Sequence, residues 1–557
     1  MRMARLAALG PQVFDLIVIG GGIAGTGVLR DAAMRGYAAV LFEQRDLASG
    51  TSSRSSKLIH GGLRYLELLD VGLVRESLRE RAILGRLAPH LVHPLPFLLP
   101  VYRGDRRGLL TIRVGLALYD LLRTDRSGGR YRTLAAEETL RRLPGLDPDQ
   151  LRGAGYYADS LLDSAERLCL ENVLSARRFG ARAFTYARVE GFVREAAALR
   201  GVEVRDLETG AVARVRGRVV VNAGGPWVDE VRHLPAGSDG PKALLRRTKG
   251  IHLLVPRLAE QALYAAARRD ARMFFVIPWR EFSLVGTTDT DFDGDLFRLA
   301  ATREEVAYLL AETRRLFPRR GLAEADIVYA YAGVRPLAHA EGKPASAVSR
   351  EHRLVPEGQG GTLLSIVGTK LTTYRSMAAE VVDRVGRLLG RPAPCRTHVV
   401  PLEGGVPDGD LEAFVAATVP EAARRTGLPR ETVAHVARAY GAPAREVLAP
   451  VEADPRLGER VCPRNPDIAA QVRFAVEREM ARHLADVMLR RTGLGTSRCL
   501  GRDCCERVAQ IMGAALGWDA ERLAREVAAY LDEIALGQRF RGGFPDAAPP
   551  AGPSPAA

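Results

Sequence analysis

Asp15-Leu16-Ile17-Val18-Ile19-Gly20-Gly21-Gly22-Ile23-Ala24-Gly25 opens the first regular unit of the chain, and its reading decides the fold. The run before the glycines is almost wholly apolar, the pattern of a strand buried on both faces of a parallel sheet. A helical stretch follows through Arg35, and Ala38-Ala39-Val40-Leu41-Phe42-Glu43 reads as a second strand. Gly20, Gly22 and Gly25 allow a tight turn and let a pyrophosphate approach a helix N-terminus, where backbone N–H groups and the helix dipole favour negative charge. Glu43 falls about twenty residues after the glycines, where a carboxylate can accept a hydrogen bond from an adenosine ribose hydroxyl. A lone GxGxxG is weak evidence, but the strand, turn, helix and strand around it make a dinucleotide site. FAD and NAD both fit at this point.

Two later segments favour FAD. Arg218-Val219-Val220-Val221-Asn222-Ala223-Gly224-Gly225 and Thr362-Leu363-Leu364-Ser365-Ile366-Val367-Gly368 are further strands running into glycines. Three separated strands of this kind describe one sheet assembled discontinuously around a long cofactor. The expected division is a cofactor domain from residues 15–85, 160–228 and 330–395, a capping domain from 86–159 and 229–329, a helical domain over 400–543, and a disordered tail over 544–557 rich in Pro and Ala.

Composition narrows the class. Among 557 residues, 47% are hydrophobic and 26% charged, which excludes collagen-like, coiled-coil and largely disordered chains. No run of about 18 uncharged apolar residues occurs, so no helical membrane span is expected. The first fourteen residues hold too short an apolar run for a secretory signal, and the expected compartment is the cytosol. Six cysteines without a CxxC read as free thiols. The excess of 80 basic over 66 acidic residues, +14 in all, points to an acidic substrate or an anionic membrane. Nucleic acid is not expected, because aromatics are 6% and no basic run of five occurs. Only five of the 80 basic residues are Lys, at 57, 242, 249, 343 and 370, which singles out each one.

Thr51-Ser52-Ser53-Arg54-Ser55-Ser56-Lys57-Leu58-Ile59-His60-Gly61-Gly62-Leu63-Arg64-Tyr65-Leu66-Glu67 resembles the signature of the FAD-dependent, quinone-linked sn-glycerol-3-phosphate dehydrogenases. The resemblance continues through Phe275-Val276-Ile277-Pro278-Trp279, Val285-Gly286-Thr287-Thr288-Asp289, Tyr331-Ala332-Gly333-Val334-Arg335-Pro336-Leu337, Gly368-Thr369-Lys370-Leu371-Thr372-Thr373-Tyr374-Arg375 and Asp486-Val487-Met488-Leu489-Arg490-Arg491-Thr492. Together these motifs cover most of residues 15 to 495. The chain departs from the family pattern at Ala24, usually Asn, and at Thr369, usually a second Gly. The resemblance implies an α/β fold with a Rossmann-like FAD domain of the glutathione-reductase or D-amino-acid-oxidase type, an inserted α+β substrate domain and a C-terminal helical domain. FAD contacts are implied at Gly20, Gly22, Ala24, Gly25, Glu43 and Gln44, at Thr51, Ser52, Ser53, Ser56, Lys57, His60, Gly61, Gly62 and Leu63, at Gly224 and Arg335, and over Gly368 to Thr372, including Leu371.

The implied reaction oxidises the C2 hydroxyl of glycerol 3-phosphate to a ketone, with hydride passing to flavin N5 and electrons to membrane quinone. It needs cations for a phosphate, a base near the C2 hydroxyl and a flavin held against the C2 hydrogen. Arg335 is the first cation, because it follows a strand-like run and its fork can pair two phosphate oxygens. Arg64 beside Tyr65, Arg350 and Lys370 are its implied companions. His252, in Lys249-Gly250-Ile251-His252-Leu253, is the expected base or hydrogen-bond partner, on the ordinary imidazole pKa. His60 belongs to the flavin loop, and Arg335 could assist an alkoxide.

No metal is expected. Asp289-Thr290-Asp291-Phe292-Asp293-Gly294-Asp295 copies half of an EF-hand loop, but Ala300 stands where the bidentate Glu is required, and the resemblance implies instead that the Thr287-Thr288-Asp289 turn belongs to the family's active-site layer. Cys499, Cys504 and Cys505 lack a fourth suitably spaced ligand for an iron–sulfur cluster. The segment from Arg106 to Arg123 has basic ends and an apolar middle, suited to the interface of an anionic leaflet. The expected protein is thus peripheral on the inner face of the cell membrane, with a homodimer left open. An oxidase returning electrons to oxygen, an amino-acid oxidase and a non-enzymatic basic binding protein are the rival readings.

Overall fold

The computed structural model describes residues 6, 9–68, 70–125, 129–196, 198–234, 241–339 and 351–542. Arg350 and the tail over 544–557 lie outside them.

Two sheets organise the chain. In the first, Leu363–Val367, Val212–Asn222, Val13–Ile19, Ala39–Phe42 and Arg182–Phe184 lie side by side and parallel, with Arg353–Glu357 antiparallel at one edge. Alternation along a strand sends successive side chains to opposite faces. Leu16 and Val18 therefore join a core with Val28, Leu170 and Met377 from the covering helices Ile23–Met34, Ala165–Arg178 and Tyr374–Leu388. Ile17 and Ile19 enter a different core with Val202 and Val204, supplied by the antiparallel strands Ala187–Glu195 and Ala198–Asp206. A strand apolar at every position is what both layers require.

The second sheet has ten strands, and near one end of it lies Leu245–Pro256. Tyr329–Ala338 pairs antiparallel along it from Leu254↔Tyr329 to Leu245↔Ala338. This corrects the sequence division, which assigned residues from 330 onward to the cofactor domain: the strand belongs to the capping sheet, and only the chain beyond it returns to the first. Leu58–Ile59 likewise pairs with Leu151–Leu162 in the second sheet.

The C-terminal region is two packing units. Leu411–Thr426, Arg430–Tyr440 and Ala444–Ala453 enclose Val433, Val436 and Val447. The later helices, Ala469–Glu477, Cys505–Leu516 and Ala520–Ala535, share one core with the second sheet, where Val472, Leu484 and Met512 join Phe97, Trp279 and Tyr329. The expected separate helical domain is therefore only partly separate. Buried Asp46 fixes the junction: its carboxylate accepts from Arg490 Nε at 2.6 Å and from Arg491 Nη1 and Nη2 at 2.8 Å each. Cys462, Cys504 and Cys505 are free thiols buried in the shared core. Among the described residues no helix is long and apolar enough to cross a membrane.

Candidate active site

A cavity of about 940 Å³ lies where the glycine turn, the 50–65 loop, the second sheet and the last helices converge. At one end is the glycine cradle. Gly20 has φ +106°, and a Cβ there would strike the Ala223 carbonyl; a Cβ on Gly25 would overlap the carbonyl oxygen of Gly20. Both positions thus require glycine for the turn to close against the neighbouring strand. Glu43 is pinned at the strand end, Oε2 accepting from the Gly21 N–H at 2.6 Å and Oε1 from the Arg45 N–H at 2.8 Å, while burial raises its pKa. Ser52 Oγ accepts from the Ile23 N–H at 3.0 Å and so ties the signature loop to the first turn of the helix.

At the other end the second sheet presents polar groups. His252 sits on Leu245–Pro256 opposite Gly286 and Tyr331, its ring stacked 5.1 Å from Tyr331. A side chain on Gly286 would collide with the imidazole, and one on Gly250 with the Arg335 guanidinium, so two glycines clear the space that both groups occupy. Nε2 of His252 lies 2.8 Å from Ser56 Oγ, and Nδ1 is buried with no hydrogen-bond partner among the described residues. Burial, then the charges of Arg335 and Lys57, push this imidazole down to about 3. The ordinary histidine pKa expected from sequence does not hold, and the ring is neutral at neutral pH.

Arg335 donates from Nη2 to Thr287 Oγ1 at 2.8 Å and to the Thr288 carbonyl at 3.0 Å, and from Nη1 to Asp289 at 3.1 Å. Asp289 is thus an arginine partner within the segment that imitates an EF-hand. Lys370 donates to the His60 carbonyl at 3.0 Å and Ser77 Oγ at 2.9 Å, with its ammonium 4.9 Å from the Tyr65 ring centre.

The cavity gathers most of the residues singled out in the sequence: Gly20, Gly22, Ala24, Glu43, Gln44, Thr51, Ser52, Ser56, His60, Gly62 to Tyr65, Gly224, His252, Arg335 and Gly368 to Thr372 all line it. Four lie behind the wall. Lys57 points into the interior, where its ammonium pairs with Glu166 at 2.7 Å and donates to the Ser53 carbonyl, and burial pulls its pKa down. A direct flavin-side contact by Lys57 is therefore replaced by support of the loop from beneath. Ser53 bonds the Gly50 carbonyl, Gly25 packs under Gly20, and Gly61 donates its N–H to Asp159 at 3.1 Å. Sequence reasoning did not find Glu166 or Asp159. Thr287 stood within a quoted motif beside Gly286; the two carboxylates carried no local signal.

Residues 15–364 match the FAD dependent oxidoreductase family, and residues 395–523 match the C-terminal domain of alpha-glycerophosphate oxidase. A glycerol-3-phosphate dehydrogenase of Synechocystis is 40% identical over 534 residues, covering 93% of this chain and 95% of the relative. The chain belongs to the glycerol-3-phosphate dehydrogenase family of FAD-dependent oxidoreductases. Glycerol-3-phosphate dehydrogenase 2 of Mycobacterium tuberculosis is also 40% identical, covering 94% of this chain and 89% of its own. The crystal structure of the Bacillus halodurans glycerol-3-phosphate dehydrogenase complexed with FAD superposes with a TM-score of 0.82 at 31% identity, over 98% of this chain and 99% of that one. A Mycoplasma pneumoniae glycerophosphate oxidase, at 17% identity and a TM-score of 0.52, shares the fold. The cradle of this family member fits FAD: Gly20 and Gly25 let the turn beneath it close without side-chain collision, and the Glu43 carboxylate is held at the strand end.

Proposed function

We propose that this protein oxidises sn-glycerol 3-phosphate at C2 to dihydroxyacetone phosphate and passes the electrons to a quinone dissolved in the bilayer. The observation that carries the reading is the grouping, in one cavity with the FAD cradle, of a neutral His252 held by Ser56 beside the Arg335 and Lys370 cations. Residues of the glycine turn, Glu43 and the 51–63 loop would hold FAD, which when bound supplies the hydride acceptor. Arg335 and Lys370 supply positive charge for the substrate phosphate, with Arg64 and Tyr65 on the same wall. His252 takes the proton of the C2 hydroxyl. Its low proton affinity without substrate comes partly from Arg335, and a phosphate dianion beside that guanidinium offsets the effect, so the imidazole becomes more basic as substrate enters.

The helix Leu109–Leu121 supports a membrane acceptor over oxygen. Leu110 (75% exposed), Val114 (63%), Leu118 (40%) and Leu121 (80%) form one apolar stripe facing solvent, with exposed Arg106 and Arg113 beside it. Arginine at the margin of an exposed apolar face is complementary to an anionic leaflet, which supports a peripheral position on the inner membrane face.

The test is a rate measurement of dihydroxyacetone phosphate formation with purified, FAD-loaded protein, comparing a short-chain ubiquinone with dissolved oxygen as acceptor. Quinone-dependent turnover with little peroxide is the expected result. Stoichiometric peroxide at the full rate without quinone would make the protein an oxidase.

A further inference from the structure

The cavity has a second half that the substrate chemistry leaves unused. Across the second sheet, Tyr264 stands opposite Phe275, Phe275 opposite Gly286, and Gly286 opposite His252. Side chains opposite one another in register share a face of the sheet. The row that carries His252 therefore continues, past the gap at Gly286, into an aromatic floor. Tyr264 stacks on Phe275 at 4.6 Å, Phe97 on Tyr157 at 5.2 Å, and Phe97 meets Phe275 edge-on at 6.1 Å. All four rings line the cavity.

This half is unsuited to glycerol 3-phosphate. Asp159 lines it with its charge already paired to Arg81 at 2.9 Å, so a phosphate dianion there would meet four rings and a carboxylate whose cation is taken. A planar apolar ring suits it, because offset-stacked and edge-on aromatic surfaces bind such rings favourably. The half also adjoins the membrane-facing helix. Tyr119, on the buried side of Leu109–Leu121, packs edge-on against Tyr157 at 5.9 Å and donates to Asp159 at 2.8 Å. The opposite side of that helix carries the exposed stripe.

We propose that Phe97, Tyr157, Tyr264 and Phe275 form the seat for the ring of the quinone acceptor, between the polar half and the membrane face. This rests on the quinone reading above and adds where the acceptor binds. In net terms, glycerol 3-phosphate gives up two electrons and two protons, and the quinone takes up both to leave as the quinol.

The experiment separates the two half-reactions of the FAD-loaded protein by anaerobic stopped-flow, using sn-glycerol 3-phosphate for reduction and then menadione or a short-chain ubiquinone for reoxidation. Phe275→Leu and Tyr264→Leu keep apolar volume and remove the rings. The expected result is reduction within about twofold of wild type, with reoxidation slowed about tenfold or more and half-saturated at higher quinone. Wild-type reoxidation by quinone that both variants match overturns the seat alone. A wild-type protein that quinone does not reoxidise, while oxygen does, overturns the acceptor reading together with the seat. Independently of any variant, an azido-ubiquinone photolabel on wild-type protein should map to peptides containing these rings; labelling confined to other segments overturns the assignment.

Discussion

The hydroxyl of Ser56 and Nε2 of His252 lie 2.8 Å apart, joining the signature loop to strand Leu245–Pro256 of the second sheet. The contact couples the expected proton acceptor to the loop that closes on the glycine cradle. His252→Gln should slow anaerobic flavin reduction roughly 10²–10⁴-fold, the usual contribution of a positioned acid–base group. Because the free-protein imidazole is pushed down to about 3, the pH profile of kcat/KM should show no inflection from His252 near its ordinary 6.5. An inflection there that vanishes in His252→Gln would contradict this electrostatic account.

The same shift bears on stability. The unfolded chain binds the His252 proton near pH 6.5, the folded one only near 3, so this contribution is present above 6.5 and is lost as pH falls across that window. Denaturation midpoints measured on His252→Gln should fall less steeply with acid than those of wild type.

His483 makes the opposite prediction. Burial alone would lower it, but Glu208 at 2.8 Å and Glu526 at 2.9 Å outweigh that and push it up to about 10. Its contribution is fully present below pH 6.5 and is lost as pH rises through 10, so His483→Gln should flatten the alkaline limb of a thermal-stability profile.

Arg335 acts through a planar fork that reaches Thr287, Thr288 and Asp289 at once. Lysine keeps the charge and loses that geometry. Arg335→Lys should therefore raise the substrate concentration for half-maximal flavin reduction nearly as much as Arg335→Ala, by about 2 kcal/mol or roughly thirtyfold. Titration of the reduction rate with glycerol 3-phosphate reads this directly.

Asp46 holds two buried guanidinium groups, and removing it strips Arg491 of the carboxylate it pairs with, while Arg490 keeps Asp486 at 2.8 Å. Asp46→Ala should cost about 3–5 kcal/mol of stability, seen as an earlier urea midpoint. Leu110→Glu with Leu121→Glu, both on exposed positions, should leave that midpoint nearly unchanged while abolishing co-sedimentation with anionic vesicles.

The glycine turn was legible because its requirement is local: strand, tight turn and helix lie within thirty residues, and each glycine answers a specific collision. The contents of the cavity were legible through the resemblance in motif, which brought Lys370 and His252 together with the 51–65 loop. What sequence concealed were pairings across distance. Tyr329–Ala338 has the apolar pattern of a strand in either sheet, and only its register with Leu245–Pro256 decides between them. Lys57 stood out as one of few lysines, yet its partner Glu166 is more than a hundred residues away, and burial of the pair turns the ammonium from the cavity. The depressed pKa of His252 likewise depends on Arg335, brought in by a separate strand. The Arg490-Arg491 motif was recognised, but Asp46, which gives it meaning, lies at the other end of the chain.

The most direct measurement is the anaerobic visible spectrum of the FAD-loaded protein before and after addition of sn-glycerol 3-phosphate, with the opposite enantiomer as control. The account predicts that the oxidised flavin bands bleach with the sn-3 enantiomer alone. A flavin that stays oxidised with both, in protein that has demonstrably bound FAD, would contradict the substrate assignment.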